Sequence, residues 1–306
     1  MDYQAILDEV VSDVSAYRGQ GTVASYIPAL ARVDPHRFGI ALVLEDGSTF
    51  TAGDSDECFS IQSISYVFGL SLALQQLKSA LWNHVGREPS GSPVGSIIQL
   101  EIEKGRPRNP MTSPGAIVVC DQLIGRRPPA EAQDALLDFL RERADDAAVG
   151  IDEGLAMSES KAGAFNRSLA HFIAAFGNLV NPVEEVLSLY YRHCSIAMNC
   201  RQLARAGLYL AFDGTDPVTG DAVTTQSRSR RINALMLTCG HYDNSGDFAF
   251  RVGLPGKSAI SGGILAVAPG RGSVCVWSPG LNAAGTSLVG AIALERLVEA
   301  TGWSIF

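Results

Sequence analysis

Residues 243–280 of this 306-residue chain read DNSGDFAFRVGLPGKSAISGGILAVAPGRGSVCVWSPG. Short runs rich in β-branched and aromatic residues alternate here with Gly, Pro and Ser. This pattern is typical of antiparallel strands joined by tight turns. We therefore predict three adjacent strands, within residues 246–253, 262–270 and 272–280.

More strands are predicted towards the other end of the chain. In residues 38–54, two apolar runs flank the dipeptide Asp46-Gly47, which is a typical hairpin turn. A further short strand is predicted at Ile97–Ile102, inside a stretch dense in Gly, Pro and Ser.

Helices are predicted between these strand regions, because residues 116–212 show apolar positions at helical spacing. Further helices are predicted at residues 1–18, 59–82 (beginning near Ser63) and 287–302. The simplest arrangement is an α+β fold. In it, residues 1–75 and 225–306 form a sheet domain and residues 76–224 form an inserted, mainly helical domain.

The composition excludes several classes of protein. A hydrophobic content of 46% provides a large core and excludes a disordered chain. The net charge of −8 argues against nucleic-acid and membrane-surface partners, and no run approaches the roughly 18 apolar residues of a membrane helix. The acidic start does not resemble a signal peptide, so a cytoplasmic location is expected.

The sequence contains no motif for a metal or a nucleotide cofactor. Its six cysteines form no CxxC pair and its five histidines no HxxxH pattern, so we expect no metal. A Walker loop and a strand followed by GxGxxG are also missing, so we expect no cofactor.

Two serine-containing segments are candidates for chemistry. Ser60 and Ser63 precede an apolar helix, where a serine can act as a nucleophile close to free N–H groups or can simply cap the helix. Lys257-Ser258-Ala259 is similar to the Lys-Ser/Thr-Gly triplet of penicillin-recognising serine enzymes, but a lone triplet is weak support.

Two further groups of polar residues could bind a ligand. Glu159 and Asn166 are seven positions apart, so they share a face if their helix is continuous. They could then hold the ammonium and carbonyl groups of a zwitterion, or they could belong to a solvated face with ordinary ion pairs. Tyr190, Tyr191 and Tyr242 could equally be half-buried tyrosines with satisfied hydroxyls.

Many stretches of the chain together resemble the bacterial serine-dependent glutaminases. They are TVASYIPALARVDP (22–35), FSIQSIS (59–65), VGREPSG (85–91), KGRPRNPM (104–111), SES…FNR (158–167), LYYRHCSI (189–196), LTCGHYDNSGDFAFRVGLPGKS (237–258) and GGILAVAPG (262–270). The resemblance implies a β-lactamase/DD-peptidase-like fold with an αβα sheet domain and a helical domain. It also implies an amino-acid-like small-molecule substrate and assembly into a homodimer or homotetramer.

The resemblance assigns a role to most of the candidate residues. Ser63 matches the family's nucleophile, and Tyr190 and Tyr242 match active-site tyrosines. Glu159 and Asn166 match substrate-binding positions, and Ser258 matches a serine of the pocket. The backbone N–H of Ile260 is expected to complete an oxyanion hole with that of Ser63.

The chain departs from the family pattern at positions that line this pocket. The family's Ser-x-x-Lys motif has Tyr66 in place of its lysine, and Ser113 replaces a substrate-binding asparagine. Val94-Gly95-Ser96 replaces Phe-Asn-Ser, and Ala259-Ile260-Ser261 replaces Gly-Val-Gly. Both the activation of the serine and the fit of glutamine are therefore expected to differ.

The expected activity is the hydrolysis of L-glutamine to L-glutamate and ammonia through an acyl-enzyme on Ser63. Tyrosine has an ordinary pKa of about 10, so Tyr66 cannot simply replace a lysine base. Turnover is expected to be weak unless Lys257 activates Tyr66 or Tyr242. The alternative is a divergent member that performs different chemistry on an amino-acid-like substrate, or binds it without hydrolysis.

Overall fold

The computed structural model describes residues 1–91, 96–125 and 128–306. Its strands are β1 (Gly39–Leu44), β2 (Thr49–Gly53), β3 (Phe59–Ser60), β4 (Gly150–Ile151), β5 (Ile196–Met198), β6 (Gly256–Ser258), β7 (Gly263–Ala268) and β8 (Gly272–Trp277). Five of them form an antiparallel sheet in the order β2-β1-β8-β7-β6. The prediction of a sheet built from both ends of the chain is confirmed.

Twelve α-helices lie within the described residues. They are α1 (Tyr3–Val14), α2 (Ser65–Leu77), α3 (Ile97–Ile102), α4 (Ser113–Ile124), α5 (Pro129–Ala144), α6 (Glu153–Ala162), α7 (Ala164–Ala175), α8 (Val183–Cys194), α9 (Cys200–Gly207), α10 (Gln226–Cys239), α11 (Ser245–Arg251) and α12 (Leu288–Thr301). None of these described helices is long and apolar enough to cross a membrane.

Successive side chains along a strand point to opposite faces of the sheet, and here both faces are apolar. Ile40 and Leu42 point to one face, where they pack with α1 and α12 in one core cluster. Ala41 and Val43 point to the other face, whose core includes residues of α9, α2 and α5. Helices therefore cover both sides of the sheet, in agreement with the expected αβα arrangement. The exact boundaries of the two domains stay a prediction.

Two of the predicted strands are wrong. Residues 246–253 contribute to helix α11, which buries Phe248 but leaves Phe250 90% exposed. A strand would have put these two phenylalanines on the same face, whereas a helix turns them to nearly opposite sides. Ile97–Ile102 forms helix α3 instead of a strand, because the Ser96 side chain caps it by accepting a hydrogen bond from the Gln99 N–H.

A small second sheet positions the segment around Ser63. Its strand order is β3-β5-β4, and β3 ends at Ser60. A short 3₁₀ turn, Gln62–Ile64, then leads into α2, so the helix begins at Ser65 rather than at Ser63. The predicted departure at Val94 and Gly95 lies outside the described residues.

Candidate active site

A cavity of about 480 Å³ brings together most of the residues that the sequence singled out. Its walls include Ser63, Tyr66, Ser113, Glu159, Asn166, Tyr190, Tyr242 and Ile260. Lys257 and Ser258 are fully buried in β6 and do not line this cavity. The cavity therefore collects residues from five helices and from the turns before α2, before α11 and after β6.

The candidate nucleophile Ser63 is in direct contact with Tyr242. The Tyr242 hydroxyl donates a hydrogen bond to Ser63 Oγ over 2.9 Å, and Ser63 is 7% exposed. Tyr242 and Gln62, which precedes Ser63, both have positive φ angles, +57° and +46°. Two non-glycine residues in this uncommon conformation beside one hydroxyl indicate that its surroundings hold the turn in place.

Two residues of the cavity wall have backbone N–H groups without an acceptor in the described part of the chain. Neither the Ser63 N–H nor the Ile260 N–H donates a hydrogen bond within residues 1–91, 96–125 and 128–306. Both residues line the cavity. Free N–H groups near a nucleophile are what an oxyanion hole requires.

Lys257 lies behind Tyr242, out of solvent. Its Nζ donates to the carbonyl oxygens of Gly240 and Ser258 over 3.0 and 2.7 Å, and it lies 4.2 Å from the centre of the Tyr242 ring. Burial lowers the pKa of Lys257 to about 7. In its protonated form Lys257 acts on Tyr242 through the ring face rather than through a hydrogen bond.

Tyr66 pairs with Tyr190 at the side of the cavity formed by α2 and α8. Their hydroxyl oxygens are 2.7 Å apart, and both side chains are buried. Burial raises the pKa of each phenol well above its ordinary value. The hydroxyl that stands at the family's lysine position is therefore neutral and is already engaged with another tyrosine.

Glu159 is a buried carboxyl group held by a neighbour of the candidate nucleophile. The Gln62 side-chain amide donates to Glu159 Oε1 over 2.7 Å and also to Ser60 Oγ over 3.3 Å. Burial raises the pKa of Glu159 to about 7, although the hydrogen bond from Gln62 partly opposes this. This carboxyl can bind an ammonium group when it is ionised.

Asn166 reaches the cavity by a route that differs from the predicted one. The condition of a continuous helix is not met, because the chain breaks at Gly163 between α6 and α7, where Tyr191 donates to the Gly163 carbonyl over 3.2 Å. Glu159 and Asn166 thus lie on two helices. Both still line the cavity, because the break directs the start of α7 towards it.

Several further residues of the cavity wall carry no motif that marks them in the sequence. Gln62 lies within the quoted stretch 59–65, but its role as the partner of Glu159 depends on a contact 97 positions away. Tyr26 and Phe165 stand at the wall with more than half of their surface exposed. The sequence feature that could have indicated them is an aromatic side chain inside a stretch that matches the family, 22–35 for Tyr26 and 158–167 for Phe165.

The αβα fold and this cavity, with a serine, a tyrosine and two free N–H groups, define a serine-hydrolase-like protein. A family model described as Glutaminase matches residues 21–306. The chain belongs to the glutaminase family. Glutaminase from Rhizobium rhizogenes and thermolabile glutaminase from Rhizobium etli are each 55% identical over 305 residues, which is all of this chain and 99% of theirs.

Solved structures show the same similarity. The probable glutaminase YbaS has 33% identity and a TM-score of 0.92, over 99% of this chain and 98% of that one. The probable glutaminase from Bacillus subtilis complexed with 6-diazo-5-oxo-L-norleucine has 29% identity and a TM-score of 0.91, over 100% and 98%. The predicted family and its β-lactamase-like fold are confirmed.

Proposed function

We propose that this protein hydrolyses the side-chain amide of L-glutamine and releases L-glutamate and ammonia. The observation that carries the proposal is the hydrogen bond between Tyr242 and Ser63 Oγ, inside a cavity that also holds the free N–H of Ile260. Full-length similarity to curated glutaminases supports the same reaction.

In the first step, Ser63 Oγ forms a bond to the amide carbon of glutamine. The carbonyl oxygen gains negative charge, which the N–H groups of Ser63 and Ile260 stabilise. The serine proton passes to a base, the C–N bond breaks, and the nitrogen leaves as ammonia after it gains a proton. Water then cleaves the Ser63 ester, which releases glutamate and restores the hydroxyl.

Tyr242 is the proposed proton-transfer group, because its hydroxyl contacts Ser63 Oγ directly. Burial raises the pKa of Tyr242 to about 12, so about one molecule in 10⁵ holds the phenolate at pH 7. The ammonium form of Lys257 beside the ring favours that phenolate, and because the pKa of Lys257 is about 7 this help decreases at higher pH. With neutral Tyr66 in place of the family's lysine, we propose that turnover is slow and increases with pH.

The amino-acid portion of glutamine is proposed to bind between α6 and α7. The ionised Glu159 attracts the α-ammonium group, and the Asn166 amide donates to the α-carboxylate or accepts from the ammonium. Tyr190 and Ser113 also line the cavity, and Tyr190 contacts both Tyr66 and Ser113. Ser113 is shorter than asparagine and leaves more room there.

A second function is favoured by the Tyr66–Tyr190 contact. Because the family's cationic position holds a neutral hydroxyl at 2.7 Å from another hydroxyl, the site could bind an amino-acid-like ligand without hydrolysing it, or act on a different amide. This alternative predicts saturable binding of glutamine or a related compound with no release of ammonia.

Two measurements test the proposed reaction. Purified protein with millimolar glutamine should release ammonia above a buffer blank, and Ser63→Ala should abolish the release. Exposure to 6-diazo-5-oxo-L-norleucine, followed by intact-mass analysis, should show an adduct that maps to Ser63. An adduct without ammonia release would support a reactive serine with a different substrate, and the absence of both would overturn the proposal.

We also propose a cytoplasmic location and a homodimer or homotetramer. The location is supported by the six cysteines, which are all free thiols as in a reducing compartment, and the assembly by the family resemblance. Cell fractionation with an antibody tests the location. Light scattering on the full chain tests the assembly, because a monomer mass would contradict it.

A further inference from the structure

A small void lies behind the Tyr66–Tyr190 pair, among α2, α4 and α8. We call it the rear void, and its wall is formed by Ser65, Tyr66, Gly69, Ala116, Val119, Cys120, Tyr190 and His193. It offers about 10 Å³ of room for the centre of a water molecule. That is close to the smallest volume in which a protein can hold one water.

Two polar atoms of the rear-void wall have no hydrogen-bond partner in the part of the chain that the structure describes. They are Ser65 Oγ and His193 Nε2. Ser65 is 1% exposed and His193 is 4% exposed, so bulk water does not reach either atom. A buried polar atom without a partner costs about 1–3 kcal/mol, which is why such atoms usually bond to internal water.

The chemistry of His193 matches a neutral hydrogen-bonding ligand. Burial lowers its pKa to about 3, so the ring is uncharged at neutral pH. Its Nδ1 lies 3.6 Å from Cys120 Sγ, which leaves Nε2 to face the void. If the Cys120 thiol donates to Nδ1, then Nε2 carries the ring proton and donates to the ligand.

We propose that the rear void binds one internal water molecule, which bridges Ser65 Oγ and His193 Nε2. Water can accept from the imidazole N–H and donate to the serine oxygen at the same time. Ser65 is the first residue of α2 and lies two positions after Ser63, while His193 lies three positions after Tyr190 on α8. The bridge therefore joins the two helices that carry the Tyr66 and Tyr190 hydroxyls.

This bridge makes Ser65 and His193 positioning residues. Neither touches the proposed substrate cavity, yet together they fix the spacing of α2 and α8 on the far side of the tyrosine pair. The effect of the water on the reaction rate rests on the proposed function. The presence of the water does not rest on the proposed function. A failed activity assay and an unoccupied void are therefore distinguishable results.

The direct test is a crystal structure of the full chain at atomic resolution. We expect one density peak at about 2.7–3.2 Å from both Ser65 Oγ and His193 Nε2. Ser65→Ala should weaken or remove that peak. Ser71→Ala is the matched control, because Ser71 is also buried on α2 but its hydroxyl bonds to Tyr209 instead. An unoccupied void in the unmodified protein would overturn the proposal.

A kinetic comparison tests the positioning role. His193→Gln keeps a polar group that can bond to the water, whereas His193→Leu does not. We expect His193→Leu to lower kcat about fivefold, as for the loss of one hydrogen bond, with KM nearly unchanged. His193→Gln should restore most of the rate. Equal rates for the two variants would contradict the positioning role and leave the density test to decide the water itself.

Discussion

Removal of one hydroxyl distinguishes a catalytic Tyr242 from a merely structural one. Tyr242→Phe keeps the ring at 4.2 Å from Lys257 and deletes only the group that donates to Ser63 Oγ over 2.9 Å. If that group moves the serine proton, its loss should lower kcat/KM by about 10²–10⁴-fold. If it only donates one neutral hydrogen bond, the loss should be about fivefold.

The matched control is Tyr66→Phe. Tyr66 is also buried beside the cavity, and its neutral hydroxyl bonds to Tyr190 and also interacts with Ser63. We expect Tyr66→Phe to cost at most about fivefold in kcat/KM. The assay is the initial rate of ammonia release from L-glutamine over a range of concentrations. Thermal melting shows that each variant is folded.

Two outcomes would refute this reasoning. If Tyr242→Phe stays within about fivefold of the unmodified protein, another group must accept the serine proton. If Tyr66→Phe is the more damaging substitution, the proton leaves towards Tyr190 instead. A third measurement strengthens the test: with Tyr242 as the base, kcat should increase from pH 7 towards its pKa of about 12, and Tyr242→Phe should remove that increase.

Three other perturbations have defined outcomes. Tyr66→Lys should increase glutamine hydrolysis at least tenfold, because it returns a cation beside the serine. An unchanged rate would mean that the weak turnover is caused by Ser113 rather than by Tyr66. The KM for glutamine should increase as the pH falls below about 7, because Glu159 has a raised pKa of about 7 and loses its negative charge on protonation, and Glu159→Gln should abolish this dependence. Gly240→Ala should lower the free energy of unfolding by about 1–3 kcal/mol, because the new methyl collides with a carbonyl oxygen of β6, whereas Gly246→Ala meets open space and should change it little in urea titrations.

Local sequence patterns were sufficient to predict a strand or hairpin where turn residues bound a clear apolar run. The hairpin around Asp46-Gly47 and the strands β7 and β8 follow directly from turn residues and β-branched runs. Local patterns were insufficient where the spacing of apolar residues fits both a strand (period two) and a helix (period 3.6). Phe248 and Phe250 are such a case. Only packing against α10 and the sheet decides that only one of these rings is buried.

In the site, too, some residues were predictable from local motifs and some contacts were not. Ser63, Glu159 and Tyr242 were predictable because their types and flanking motifs match the family. The Gln62–Glu159 bond and the position of Lys257 behind the Tyr242 ring join residues far apart in the chain, so no local pattern contains them. The same holds for the rear void, since His193 and Ser65 are 128 positions apart and become neighbours only when α2 packs beside α8.

The pairing of β1 with β8 has a consequence for how the chain folds. Gly39 pairs with Trp277, so that contact closes a loop of 238 positions. Yet the Tyr3 and Trp303 rings lie only 5.5 Å apart, because α1 and α12 pack side by side. A circular permutant joined by a short linker between the original ends, and opened at the exposed turn 218–220, would make the sheet segments neighbours in sequence. Its relative contact order would fall, and its refolding rate in stopped-flow experiments should rise with no change in the native fold.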